Sequence, residues 1–338
     1  MRGTVLHGTR DVRLEQRPDP TVTEATDAVV RTVAACVCGS DLWPYRGIPP
    51  VTGPRPMGHE FVGVVEEVGA QVGSVRPGQF VVGGFLHSDG TCAVCHVGMH
   101  SHCLHGGGYD GCQAELIRVP NADGTLLATP DRPDDALVPH LLALSDVMAT
   151  GWHAAVCAEV RPGSTVVVVG DGAVGLCGVL AAARMGAERV VAMSRHEDRQ
   201  RLARELGATD IVAERGDEGV DRVLELTGGV GADAVLECVG TDDAVTTALR
   251  CARPGAMVGW VGLPHVSDLP QQHMFWRNVG LRGGPAPVRA YLPGLLAQVL
   301  ERTIEPGRVF DLRLPLAEVA GAYAAMDERR AIKALLTP

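Results

Sequence analysis

Val166-Val167-Val168-Val169 runs directly into Gly170-Asp171-Gly172-Ala173-Val174-Gly175, and this ten-residue segment narrows the possible folds more than any other. Four β-branched residues in a row predict a strand buried on both faces. The glycines that follow predict a turn into a helix. Gly170 permits the tight bend, Gly172 lets another group approach the backbone, and Gly175 lets helix and strand pack closely. The alternation continues downstream. Thr165–Val169, Val190–Met193, Ala234–Val239 and Met257–Val261 predict strands. Ala173–Met185, Glu197–Leu206 and Asp242–Cys251 carry the helical spacing of Ala and Leu between them. Such a pattern predicts an α/β unit with a doubly wound parallel sheet over residues 149–282.

G-x-G-x-x-G between a strand and a helix offers backbone N–H groups and the positive end of a helix dipole to a pyrophosphate. Gly170, Gly172, Ala173, Val174 and Gly175 are therefore expected to cradle a dinucleotide. The choice of dinucleotide falls at the end of the second strand, where an acidic residue would hold a ribose 2′-hydroxyl. That stretch reads Val191-Ala192-Met193-Ser194-Arg195-His196, without a carboxylate. Ser194 can hydrogen-bond a 2′-phosphate, and Arg195 or Arg199 can pair with it, so NADP is expected in preference to NAD.

The flanking regions have a different texture. The first ~150 residues carry frequent Gly and Pro among short apolar runs such as Phe80-Val81-Val82, which predicts an irregular β domain. Gly283-Gly284-Pro285-Ala286-Pro287 marks a second break, and the segment 283–338 is expected to rejoin the first domain, residues 1–148. The formal net charge of −10 argues against a nucleic-acid partner, which would require a basic footprint. No run approaches the ~18 apolar residues of a membrane span, and Met1–Leu6 carries no signal-peptide core. A cytoplasmic location is the expectation.

Ten cysteines in such a chain point to metal sites or free thiols rather than disulfides. One group is Asp89-Gly90-Thr91-Cys92-Ala93-Val94-Cys95 with Cys103 beyond, where a C-x-x-C pair and a third nearby cysteine signal zinc. A second is Cys38-Gly39-Ser40-Asp41 followed by Gly58-His59-Glu60, which supplies a thiolate, an imidazole and a carboxylate.

Taken together, these motifs resemble the zinc-containing medium-chain dehydrogenase/reductase family, from Cys38 and Gly58-His59-Glu60 through Cys92–Cys103 and Gly170–Gly175 to Lys333. The resemblance implies a GroES-like irregular β-barrel catalytic domain formed by both chain ends and a central Rossmann domain. It implies catalytic zinc on Cys38, His59 and Asp146, the last standing where some relatives carry a cysteine ligand, with Glu60 either a further ligand or a close neighbour. It implies a structural zinc lobe over residues 87–108, with Asp89 aligned to the first of four cysteines. His96, His100, His102 and His105 are rival ligands there, and a lobe without metal is a further alternative.

Ser40 would relay a proton, although Trp43 stands where many relatives have the next relay histidine. Asp41 would orient a neighbour, Thr150 would contact the nicotinamide, and Lys333, the chain's only lysine, would reach the pyrophosphate. Trp43, Phe85, Leu263 and Tyr109 would wall the substrate pocket, with Leu263 also near the cofactor. The implied activity is hydride exchange between NADP(H) and an alcohol or carbonyl compound, in a homodimer or homotetramer. Two alternatives stand beside it: reduction of activated C=C or C=N bonds, and a non-catalytic relative that binds zinc and nucleotide.

Overall fold

The computed structural model describes residues 1–109 and 111–338 and divides into two compact units, Met1–Ala149 with Pro287–Pro338, and Thr150–Ala286. The sequence placed these boundaries at 148/149 and 282/283.

The second unit is a six-stranded parallel sheet: β1 (Thr165–Val169), β2 (Arg189–Met193), β3 (Asp210–Val212), β4 (Ala232–Glu237), β5 (Ala252–Trp260) and β6 (Gly280–Gly283), in the order β3-β2-β1-β4-β5-β6. This is the Rossmann arrangement, with the strand order reversing between β1 and β4. Helices α1 (Ala173–Arg184), α2 (Glu197–Glu205), α3 (Gly216–Leu226) and α4 (Asp242–Cys251) connect successive strands. Val166, Val167 and Val168 are fully buried at the sheet centre. Each such side chain contributes about 1.5–3 kcal/mol. Gly170 adopts φ +114°, a left-handed conformation that a side chain would strain. A Cβ on Gly175 would lie 1.9 Å from the Gly170 carbonyl oxygen, so only glycine lets α1 start this close to β1.

The first unit is the irregular β domain. Its largest sheet runs Leu126–Ala128, Phe80–Gly83, Phe61–Val68, Ala28–Cys36, Ala334–Thr337, Leu312–Pro315, and Leu116–Val119 also pairs with Ala28–Cys36. The register decides what meets at one end. Ala35 pairs with Phe61, and Leu335 with Cys36, so the central strand delivers Cys38 beside His59-Glu60 on one flank and Lys333 on the other. Segments far apart in sequence thus converge through strand pairing. A short pair, Leu86–His87 with Gly107–Gly108, closes the base of the cysteine lobe. No helix among the described residues is long and apolar enough to cross a membrane.

Candidate metal and nucleotide sites

Asp146 lies between the helices Val138–Leu144 and Val147–Cys157, and its carboxylate completes the cluster at the strand ends. Its Oδ2 stands 3.4 Å from Cys38 Sγ and 3.4 Å from His59 Nε2. One ligand atom from each of Cys38, His59, Glu60 and Asp146 falls within 4.8 Å of the others. Zinc–ligand bonds of about 2.0–2.3 Å in a tetrahedron separate neighbouring donors by roughly 3.3–3.8 Å. The donor set fits zinc in chemistry, and the two edges that Asp146 makes fit it in span. Glu60 Oε2 is fully buried without a hydrogen-bond partner among the described residues, an arrangement that a cation would relieve.

Electrostatics point the same way. Burial opposes the His59 imidazolium, yet Asp41, Cys38 and Asp146 crowd it and raise its proton affinity well above the ordinary range. Burial pushes the Cys38 thiol up, and Asp146 and Glu60 push it further. Burial also raises Glu60, against the pull of Lys333. These anionic groups have been brought together with too little positive charge around them, which is what a divalent cation supplies.

A buried polar chain holds the cluster in place. Asp41 Oδ1 lies 3.5 Å from His59 Nδ1, and its Oδ2 accepts from the Cys38 N–H at 3.0 Å and from Gln113 Nε2 at 3.2 Å. Gln113 Nε2 also donates to the Cys36 carbonyl at 3.1 Å, and the Tyr323 hydroxyl donates to Gln113 Oε1 at 3.1 Å. Asp41 therefore takes an orienting position. Gly58, at φ +92°, makes room for Gln113, because a Cβ there would meet its Cγ at 2.5 Å. Neither Gln113 nor Tyr323 carried a sequence signal, since a lone buried amide or phenol belongs to no spacing pattern. Ser40 sits half-buried in the turn that follows Cys38.

Lys333 requires a correction. The expectation was a cation reaching a pyrophosphate, but its side chain is 1% exposed and its ammonium donates to Glu60 Oε1 at 2.7 Å and to the Val37 carbonyl at 3.2 Å. The strand that follows it pairs beside Cys36, and this draws the side chain inward toward the metal cluster.

In the cysteine lobe, Asp89 Oδ1 stands 3.4 Å from Cys95 Sγ and 3.3 Å from Cys103 Sγ, while Cys92 Sγ lies 3.6 and 3.8 Å from the same two sulfurs. These spacings also match zinc edges. The groups gathered there are Asp89, Cys92, Cys95 and Cys103. Of the rival histidines, His105 instead bonds Asp89 Oδ2 at 2.6 Å from outside the cluster. The Leu104 and Cys95 N–H groups point at Cys92 Sγ and draw its thiol down to about 7. Burial and the neighbouring thiols push Cys95 up to about 12.

In the second unit, Gly172 caps α1 without a side-chain hydrogen bond, and a Cβ there would meet nothing within 4 Å. The turn with Gly170, Ala173, Val174 and Gly175 is thus an open cradle of the kind a pyrophosphate fills. Thr150 is buried in the helix Val147–Cys157, Leu263 is exposed after β5, and Arg195 is exposed at the end of β2. Ser194 and Arg199 are not idle. The Ser194 hydroxyl donates to Asp171 Oδ2 at 2.8 Å, and Arg199 Nη1 lies 3.4 Å from Asp171 Oδ1. A carboxylate does stand at the end of the second strand, supplied from the glycine turn. Arg215, which carried no expectation, donates to the Met193 carbonyl at 3.2 Å beside Ser194.

A metal-type cluster in a β unit and a glycine-turn cradle in a doubly wound unit define a class of two-unit proteins that bind zinc and a nucleotide. Comparison with known proteins agrees. Residues 24–131 match the family model described as alcohol dehydrogenase GroES-like domain, and residues 173–299 match zinc-binding dehydrogenase. Zinc-type alcohol dehydrogenase B of Aspergillus flavus is 35% identical, covering 99% of this chain and 81% of that protein. Among solved structures, alcohol dehydrogenase TADH from Thermus sp. ATN1 superposes with a TM-score of 0.91 at 34% identity, covering 100% of this chain and 99% of that one. A zinc-binding dehydrogenase from Sinorhizobium meliloti 1021 bound to NADP superposes with a TM-score of 0.81 at 26% identity, covering 100% and 99%. The chain belongs to the zinc-containing medium-chain dehydrogenase/reductase family and is an oxidoreductase.

Proposed function

We propose that this chain is a zinc-dependent alcohol dehydrogenase or carbonyl reductase that exchanges hydride with NADP(H). The observation that carries the reading is the buried donor set Cys38, His59, Asp146 and Glu60, with Glu60 Oε2 lacking a partner among the described residues. Zinc held there supplies a Lewis acid that polarises a carbonyl and makes an alcohol easier to deprotonate. Cys38, His59 and Asp146 hold the ion, and Glu60 is the group poised to join them. Asp41 fixes the His59 ring so that Nε2 faces the cluster. Lys333 offsets the charge of Glu60 and limits the net charge of the cluster. Ser40, two residues beyond Cys38, would relay the substrate proton toward a cofactor hydroxyl and water, since Trp43 stands where many relatives have the next relay histidine. Cys92, Cys95, Cys103 and Asp89 hold a second, structural zinc.

Gly170, Gly172, Ala173, Val174 and Gly175 bind the pyrophosphate, Thr150 and Leu263 contact the nicotinamide, and Ser194, Arg195 and Arg199 face the adenosine ribose. The NADP-bound relative, Arg195 just after β2, Arg199 in α2 and Arg215, which reaches the Met193 carbonyl, support the choice of NADP(H). The substrate is a small-molecule alcohol or carbonyl compound, and Trp43, Phe85 and Leu263 would suit a medium-sized apolar or aromatic one. Ten cysteines outside any disulfide, four of them in the proposed zinc sites, suit a reducing cytoplasm. The outer edge of β6, next to exposed Phe275 and Trp276, suits a homodimer or homotetramer.

An initial-rate screen of ketones, aldehydes and enals with NADPH and NADH, with and without a zinc chelator, tests this. The expected result is carbonyl reduction with NADPH that chelation abolishes and zinc restores. A saturated aldehyde from an enal would instead indicate C=C reduction, and zinc-replete protein without turnover would indicate a binding relative.

A further inference from the structure

Asp171 occupies the first variable position of the glycine turn, yet its carboxylate does not point into solvent. It reaches the end of β2 and takes up the two donors expected to face a ribose phosphate. Ser194, fully buried, donates its hydroxyl to Oδ2 at 2.8 Å. Arg199, in the first turn of α2, places Nη1 3.4 Å from Oδ1 and donates to the Asp171 carbonyl at 3.2 Å. The two ionic side chains are only 13% and 15% exposed, so solvent screens them weakly. Ser194 is itself held still, with Gln200 Nε2 donating to its carbonyl at 2.8 Å and Arg215 donating to the carbonyl of Met193 at 3.2 Å.

We propose that Asp171 is the residue that sets discrimination between 2′-hydroxyl and 2′-phosphate cofactors in this chain. The proposal rests on the reading that the turn binds a nicotinamide dinucleotide. A carboxylate at this point accepts a hydrogen bond from a ribose hydroxyl and repels a phosphate. Ser194 and Arg199 form a shared pair of donors that serve either Asp171 or a 2′-phosphate. A 2′-phosphate must draw both donors away from Asp171 and then tolerate its charge, so Asp171 works against the preference that Arg195, Arg199 and Arg215 create. The chain binds both cofactor types with a narrowed ratio. Ser194 and Arg199 remain positive determinants, and Asp171 is the negative one.

The test is equilibrium binding of two fragments, 2′,5′-ADP and 5′-AMP, to the zinc-loaded full chain and to Asp171→Asn and Asp171→Ala. In the unaltered protein, tighter binding of 2′,5′-ADP supports the NADP reading, and equal or weaker binding overturns that reading alone. For Asp171, the measured quantity is the change in the ratio of the two dissociation constants. Both variants are expected to shift it roughly tenfold toward 2′,5′-ADP, and a second Arg199→Gln change should remove most of that shift. A ratio within twofold of the parent in both variants, or a shift toward 5′-AMP, overturns the role of Asp171. If neither fragment binds the unaltered chain, the dinucleotide reading and this inference fail together.

Discussion

The two metal-type clusters of the first unit share a chemistry but differ in construction. Cys38 and Asp146 stand 108 positions apart, and strand pairing plus a helix junction bring them together. Asp89 and Cys103 stand 14 apart, and a single loop gathers the whole lobe. The first cluster is braced from behind by Asp41, Gln113, Tyr323 and Lys333, all buried. The lobe has little packing of its own, with Val97 and Leu104 well exposed, and its sulfurs are held by backbone N–H groups. A long-range cluster inherits its geometry from the core, whereas a local one relies on the ion to replace a core. Zinc in the first should tune chemistry, and zinc in the second should hold a loop.

The strongest test of that contrast is Cys38→Ser. It should remove one zinc per chain and lower kcat/KM by at least about a thousandfold, ~4 kcal/mol, while the lobe zinc and the far-ultraviolet spectrum stay unchanged. Elemental analysis with initial rates decides, and loss of both metals would erase the distinction. Next is Lys333→Met, which strands Glu60 without its cation and should cost about 3–5 kcal/mol in denaturant unfolding of metal-free protein.

Cys92→Ser, or mild chelation, addresses the other cluster. Hydrogen exchange should accelerate by about a hundredfold within residues 93–105, with kcat/KM at low temperature within a few-fold of the parent. Gln113→Leu sharpens the picture, since it breaks the Tyr323–Gln113–Asp41 chain without touching a ligand. The first cluster should lose roughly tenfold in zinc affinity, measured by chelator competition, with lobe affinity constant. The smallest effect is expected from His105→Ala, a severalfold weakening confined to the lobe, because it removes only the partner of Asp89 Oδ2.

Much of the fold was legible because its signals are periodic. The valines of β1, the glycine turn and the Ala/Leu spacing of α1, α2 and α4 each report a regular local structure, and the observed elements begin or end within five residues of the expected ones. Site chemistry was legible where it repeats at short range, as in Cys92-Ala93-Val94-Cys95. It was illegible where a side chain acts across the fold. Gln113 looks like any amide in a strand-rich region. Arg215 looks like one of many arginines. Lys333 was assigned to a phosphate by its match to a basic residue of relatives, which says nothing of its direction here, and only the strand Ala334–Thr337 beside Cys36 turned it toward Glu60.

From its residues alone the chain determined a parallel α/β unit with a glycine-turn cradle, a cysteine lobe and a set of zinc-competent side chains. The information for the glycine turn and for the lobe lies in short stretches of the backbone, where sterics and spacing act directly. Tertiary structure decided the 3.4 Å approach of Asp146 to Cys38 and His59, which the resemblance had only implied, that Lys333 neutralises Glu60, and that Asp171 reaches Ser194. Those contacts span 108, 273 and 23 positions in the cases of Cys38–Asp146, Glu60–Lys333 and Asp171–Ser194. Strand register and helix placement set them collectively, and no local spacing encodes a register.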